Sequence, residues 1–236
     1  MKTYIGLLIC FCLSFTTQAQ HIIGAWESQT TNKKGAPLKH VVVYTAGYYV
    51  FTSFDANTGQ FVQTSGGSWV LDGDVLSKTI EFDATHPEQV GTALSDTITL
   101  TATELKNVEH EVTFTRIDNG TPGKLQGAWL MSGRVKDGTV QARDTSGSRK
   151  TMKILSGTRF QWIAYDIETK AFKGTGGGTY TTENGKYTEN IEFFSKDQTK
   201  VGLSLTFNFK LEDGDWHHSG KSSKGDPIHE IWSLRD

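Results

Sequence analysis

A motif order that occurs twice constrains this chain more than any other feature. Gly24-Ala25-Trp26 returns as Gly127-Ala128-Trp129, and Asp55, Thr58 and Phe61 return as Asp166, Thr169 and Phe172. Gly66-Gly67 falls opposite Gly177-Gly178, Trp69 opposite Tyr180, and Ile80-Glu81-Phe82 opposite Ile191-Glu192-Phe193. Val90-Gly91 matches Val201-Gly202, and His110-Glu111-Val112 with Arg116 matches His229-Glu230-Ile231 with Arg235. The order is kept and the gaps fall where turns belong, so one small unit is built twice. Between the copies, Asp118 to Lys124 holds Asn119-Gly120 and Pro122-Gly123, a linker composition. The units are therefore expected at 20–118 and 124–236.

Each unit reads as β-structure. Thr158 to Tyr165, Lys186 to Phe194 and Leu203 to Leu211 alternate apolar with polar residues and are rich in aromatic and β-branched side chains. Turns are marked by Asp72-Gly73, Asn184-Gly185 and Asp213-Gly214. No stretch has a convincing helical period. Copy two is expected to have eight strands, starting near Gln126, Lys150, Thr158, Ala171, Lys186, Leu203, Asp215 and Ile228. Eight antiparallel strands joined by hairpins close into an up-and-down barrel and leave no edge exposed.

Ahead of the repeats, Lys2, the apolar run Ile5 to Phe15 and Thr17-Gln18-Ala19 have the order of a secretory signal. Cleavage is expected before Gln20, with export to the periplasm or beyond. Cys10 and Cys12 both fall inside residues 1–19, so the exported chain would carry no disulfide and would rely on its core. No later segment reads as a membrane helix. A net charge of -2 without a basic run argues against nucleic acid as a partner.

Gly-Ala-Trp on the first strand, with an arginine on the last, resembles the lipocalin-type barrel. The closer likeness is to lipocalin-like domains of unsettled function in exported Bacteroidetes proteins, through Gly177-Gly178-Thr179-Tyr180 and Tyr187-Thr188-Glu189-Asn190-Ile191-Glu192. The resemblance implies that Arg116 packs over Trp26, and Arg235 over Trp129, as the floor of each barrel. The other usual lipocalin motifs and disulfides are missing.

Comparing the copies assigns faces. Tyr49, Phe51 and Ser53 align with Phe160, Trp162 and Ala164 as the interior of strand three. Ile80 and Phe82 align with Ile191 and Phe193, which places Tyr187 and Glu189 on the same inner face. Matching Asp96 to Asp215 sets His217 and Ser219 opposite Ile98 and Leu100, with Lys221 following at the rim. Polar groups where the other copy is apolar suggest a ligand pocket in barrel two, formed by Trp162, Tyr187, Glu189, His217, Ser219 and Lys221, with Tyr180 nearby. A register shifted by one residue would instead turn His218 inward and His217 outward. A plain core hydrogen bond between His217 and Glu189 is a further alternative.

Loops at the mouth of copy two carry ten basic residues, Arg134, Arg143 and Arg149 among them, against six acids, while the mouth of copy one is slightly acidic. That balance favours an anionic ligand in copy two, although ordinary lysine decoration of loops gives the same pattern. Strand six of copy one looks about eight residues shorter, from Gly91–Asp96 against Gly202–Asp215, which would make copy one the support and copy two the working barrel. Neighbouring His217 and His218 face opposite ways on a strand and cannot chelate one metal ion. The glycines from Gly174 to Gly178 lack the ending of a phosphate loop and read as a bulge or tight barrel bend. No cofactor motif is present. Three functions stay open: a module binding a small amphipathic or anionic molecule, an enzyme using Glu189 and His217 as acid and base on a sugar or carboxylate, and a structural domain with filled barrels.

Overall fold

In the computed structural model, residues 22–235 are described, so the expected signal segment lies outside the described residues. Barrel one is formed by β1 (Gly24–Thr31), β2 (Pro37–Tyr44), β3 (Tyr48–Asp55), β4 (Phe61–Asp72), β5 (Val75–Asp83), β6 (Ala93–Leu100), β7 (Glu104–Asn107) and β8 (Val112–Asp118). These strands pair in chain order and close antiparallel from β8 to β1. Barrel two uses β9 (Gly127–Lys136), β11 (Arg149–Leu155), β12 (Arg159–Asp166), β13 (Ala171–Glu183), β14 (Lys186–Phe194), β15 (Ser204–Glu212), β16 (Asp215–Lys221) and β17 (Pro227–Leu234). It closes through β17 and β9, and an extra strand, β10 (Thr139–Ala142), hangs on β9. The strand starts lie within one residue of those expected; β10 has no counterpart in the sequence reading. Among the described residues, no helix is long and apolar enough to cross a membrane.

The hairpins show why the chain turns where it does. Asn184 and Gly185 take φ of 49° and 73°, and Asp213 and Gly214 take 53° and 88°, the left-handed pairs that a tight hairpin requires. The paired glycines serve a bulge, as expected. Gly67 faces Ile80 and Gly66 faces Phe82, which leaves Glu81 as the extra residue; Gly178, Gly177 and Glu192 repeat the pattern. A Cβ on Gly178 would stand 2.0 Å from the Asn190 carbonyl oxygen, so no larger residue fits without moving backbone.

The bulge corrects one face assignment. Ile80 and Ile191 point into their barrels, but the extra residue flips Phe82 and Phe193 outward. They meet in a core between the two barrels, together with Val43, Val50, Phe54, Ile154, Ile163 and Tyr165. Phe54 stacks on Phe193 at 4.9 Å between centroids, and the equivalent Tyr165 meets Phe82 at 4.7 Å. Phe61 stacks on Phe172, its own counterpart, at 6.0 Å. The interface therefore has approximate two-fold symmetry within one chain.

The linker is fastened to barrel two. Asp118, which ends β8, accepts hydrogen bonds from Ser156 Oγ, the Gly157 and Thr158 amides and Thr158 Oγ1. Burial works against its charge, but these donors outweigh burial and hold the carboxyl below its usual range.

The floors differ. Arg116 lies over Trp26 with its guanidinium carbon 3.9 Å from the ring, as the resemblance implies. Arg235 does not cover Trp129. Leu234 is the residue paired with Trp129, and Arg235 lies one position further along, which turns it to the outer face. There it stacks on Tyr48 of barrel one at 4.0 Å and grips Glu81 with two hydrogen bonds of 2.8 Å. Glu192, the matching bulge residue, is gripped in the same two-pronged way by Arg159.

Candidate functional site

The two interiors are built from equivalent strands and differ in what fills them. In barrel one, the inner faces of β2, β3, β5, β6, β7 and β8 contribute Val42, Tyr44, Tyr49, Phe51, Leu76, Ile80, Ile98, Leu105 and Phe114. They enclose a cavity of about 570 Å³, open at the end away from Trp26. Lys78, on its wall, forms an ion pair of 2.5 Å with Asp96, and His110 Nε2 lies 3.8 Å from the same carboxylate. Burial opposes the charge on Asp96, but Lys78, Asn107 and His110 together hold its carboxyl below the usual range. His40 stacks on Phe51 and bonds Thr30 Oγ1 through Nε2 at 2.7 Å, while its buried Nδ1 finds no partner among the described residues. Burial lowers the His40 pKa, which favours a neutral ring. An apolar chamber with a few convergent polar groups is the usual make-up of a small-molecule site.

Barrel two is mostly full. Trp129, Leu155, Phe160, Tyr187, Phe207, Trp216 and Trp232 pack its interior, leaving about 190 Å³ near the mouth. Within that packing, Lys153 and Glu189 are both buried and lie 2.7 Å apart. The Lys153 ammonium sits 5.1 Å from the Tyr187 and Trp216 ring centres and 5.3 Å from that of Trp232, a cage of electron-rich faces. Above it, His218 Nδ1 lies 3.2 Å from Glu230 Oε2, which also accepts from Trp232 Nε1. Burial, then the charge of Lys153, lowers the His218 pKa; Glu230 and Glu189 oppose this without overcoming it. With a neutral His218, Nδ1 donates to Glu230, and Nε2 is left without a partner among the described residues.

The structure brings part of the expected site together. Trp162 lines the mouth of barrel two against Phe194, Glu189 lines the pocket below it, and Tyr187 is fully buried beneath. Tyr180 belongs to the closed end, where its hydroxyl donates to the Ser156 carbonyl at 2.6 Å. His217, Ser219 and Lys221 do not line the pocket. Trp216 and His218 face inward, so the residues between and beyond them face out. His217 meets His229 on the outer surface, with 3.2 Å between ring nitrogens, so it cannot form an acid–base pair with Glu189.

The cause is a misplaced gap. Asp96 lies on β6 opposite Leu76, as Phe207 lies on β15 opposite Tyr187, so Asp96 corresponds to Phe207 and not to Asp215. Strands β6 and β15 are nearly equal in length. The residues assigned to a longer strand six belong instead to the β16–β17 hairpin, and Asn107 is the counterpart of His218. The expected ranking of the barrel interiors is reversed as well, since the larger interior cavity is in copy one. Lys153 and Glu230 were missed. A lysine inside Met152-Lys153-Ile154-Leu155, where copy one has Val42, was the available signal.

No protein-family model matches this chain, and no curated protein matches it.

Proposed function

We propose that the protein is a lipocalin-like binding protein whose first barrel takes up a small amphipathic molecule. The observation that carries this reading is the aromatic and aliphatic chamber of about 570 Å³ in barrel one. Its volume falls within the range that encloses most of a small ligand's surface. The apolar wall would take the body of the molecule, while Lys78 and His40 would meet its polar end. The acid–base enzyme reading built on Glu189 and His217 loses its pair, and a filled, structural interior describes barrel two better than barrel one. The residues 1–19 support export, which would put this uptake in the periplasm or outside the cell.

The test uses an apolar naphthylamine dye that fluoresces when shielded from water. Ile98→Trp fills the barrel-one chamber, whereas Ile228→Trp adds the same bulk at the mouth of barrel two. Dye affinity should fall about tenfold or more in the first variant, in keeping with the loss of several buried apolar contacts, and stay unchanged in the second. The opposite pattern, or a parent protein that binds no dye, would remove the reading.

A further inference from the structure

A second insertion in copy two, between β9 and β11, opens a basic cleft. In copy one, β1 pairs with β2 along its whole length, Gly24 with Tyr44 through Thr31 with Pro37. In copy two that edge of β9 is divided. Residues 127–130 pair with β11, and residues 133–136 pair with β10. The start of β11 is thereby freed from β9, and a cleft of about 670 Å³ lies between β9, β10 and the first residues of β11.

Three arginines line it, Arg134 on β9, Arg143 just after β10 and Arg149 at the start of β11. None of them makes an ion pair among the described residues. Arg143 is held in place by Thr151 Oγ1 at 3.3 Å and Met131 Sδ at 3.6 Å, which leaves most of its donors free. The one acid in the lining, Asp144, accepts from the amide and hydroxyl of Ser146 at Oδ1 and makes no ion pair with the arginines among the described residues. By strand register, copy one has Thr31 and Leu38 where copy two has Arg134 and Arg149. Three like charges with a single carboxylate in the lining repel one another, and both Arg149 and Arg134 act on Arg143 in that sense, after burial. A multivalent oxyanion relieves that repulsion and accepts two-pronged guanidinium hydrogen bonds.

We infer that this cleft is an anion site, built by the copy-two insertion, for a phosphate or sulfate group. The group can be free or the head of a small organic ester. Thr151 joins the cleft to the mouth of barrel two, since it contacts Arg143 and also lines the pocket with Trp162, so the body of an ester has somewhere to lie.

The experiment titrates the protein with inorganic phosphate, inorganic sulfate, a sugar monophosphate and the same sugar without phosphate, by calorimetry at low salt. The phosphate-bearing and sulfate probes should bind saturably and more weakly as salt rises. Arg134→Gln/Arg143→Gln/Arg149→Gln together should weaken that binding about tenfold or more, as loss of charge-assisted hydrogen bonds requires. The same triple variant should keep naphthylamine binding in barrel one, which separates this site from the other. Tighter binding of the sugar phosphate than of inorganic phosphate identifies an ester, and equal binding identifies the free oxyanion. The inference is overturned if no anion binds, if the neutral sugar binds as well as its phosphate, or if the triple variant binds anions like the parent. The exposed single variants Arg134→Gln and Arg149→Gln give the same reading should the triple variant fail to fold.

Discussion

At the scale of single residues, the interior of barrel two is a charge problem solved by neighbours. Lys153 and Glu189 neutralise each other, and Glu230 is supported by His218 and Trp232. His218 is the residue that makes this interior sensitive to pH. Its pKa in the folded protein lies below its ordinary value because of burial and then Lys153. The unfolded chain therefore takes up that proton first. Stability from this group is complete above about pH 6.5 and is lost as pH falls through the window below it. His40, lowered by burial, acts in the same direction from barrel one. The carboxyls held below their usual range, Asp118 and Asp96, contribute only at lower pH, below about 4. The denaturant midpoint should thus fall between about pH 7.5 and about pH 5.5. His218→Asn, which installs the residue copy one uses at that position, should flatten part of the slope. An unchanged slope in that variant would show that His218 takes its proton equally well in both states.

At the scale of elements, the bulges decide more than the strands do. Each turns an Ile-Glu-Phe triplet so that the isoleucine stays in the barrel, the phenylalanine enters the seam and the glutamate holds an arginine. Gly178→Ala would place a Cβ against the Asn190 carbonyl, with little freedom for either backbone to give. It should destabilise the protein by about 1–3 kcal/mol, the usual cost of overpacking, measured by denaturant titration. A neutral result would mean that the bulge relaxes freely. The strand starts were readable because alternation and turn residues are local signals, and Asn184-Gly185 and Asp213-Gly214 state their own geometry. The strand-seven register was not, because it depended on where a length difference was placed. Asp96 and Asp215 are identical by coincidence, and aligning them moved the gap out of the hairpin that holds it. The misalignment matched β6 to β16 instead of β15 and set the side chains from His217 to Lys221 out of phase with the barrel face. Arg235 was misread because the bulges differ: a shift between Ala25 and Trp26 brings Arg116 opposite Trp26, whereas the shift in copy two falls at Ile231–Trp232 and leaves Leu234 opposite Trp129. The pairing of β10 with β9 left no signal that alternation could detect, since all four of its residues are exposed.

At the scale of the whole molecule, two barrels share one apolar seam, and the seam follows the duplication. Phe54 against Phe193 is repeated by Tyr165 against Phe82, and Gln161 bridges Thr64 and Thr175, which are counterparts. An interface of this kind is what two identical barrels would form about a two-fold axis. The two copies nevertheless differ inside. One copy keeps an open chamber, and the other fills its interior and grows an arginine-lined cleft. The seam makes each barrel's stability depend on the other, because separating them exposes Phe54, Phe82, Ile163 and Phe193 together. The parent should accordingly unfold in one transition, with tryptophan fluorescence and far-ultraviolet circular dichroism coinciding. Phe54→Asp sets a carboxylate against the buried Phe193 ring, and a buried charge without a partner is tolerated only if the surfaces part. In that variant the two signals should separate into two transitions, since each closed barrel retains its own inner core. If the Phe54→Asp protein still melts in a single coincident transition at the parent's midpoint, the seam does not couple the barrels.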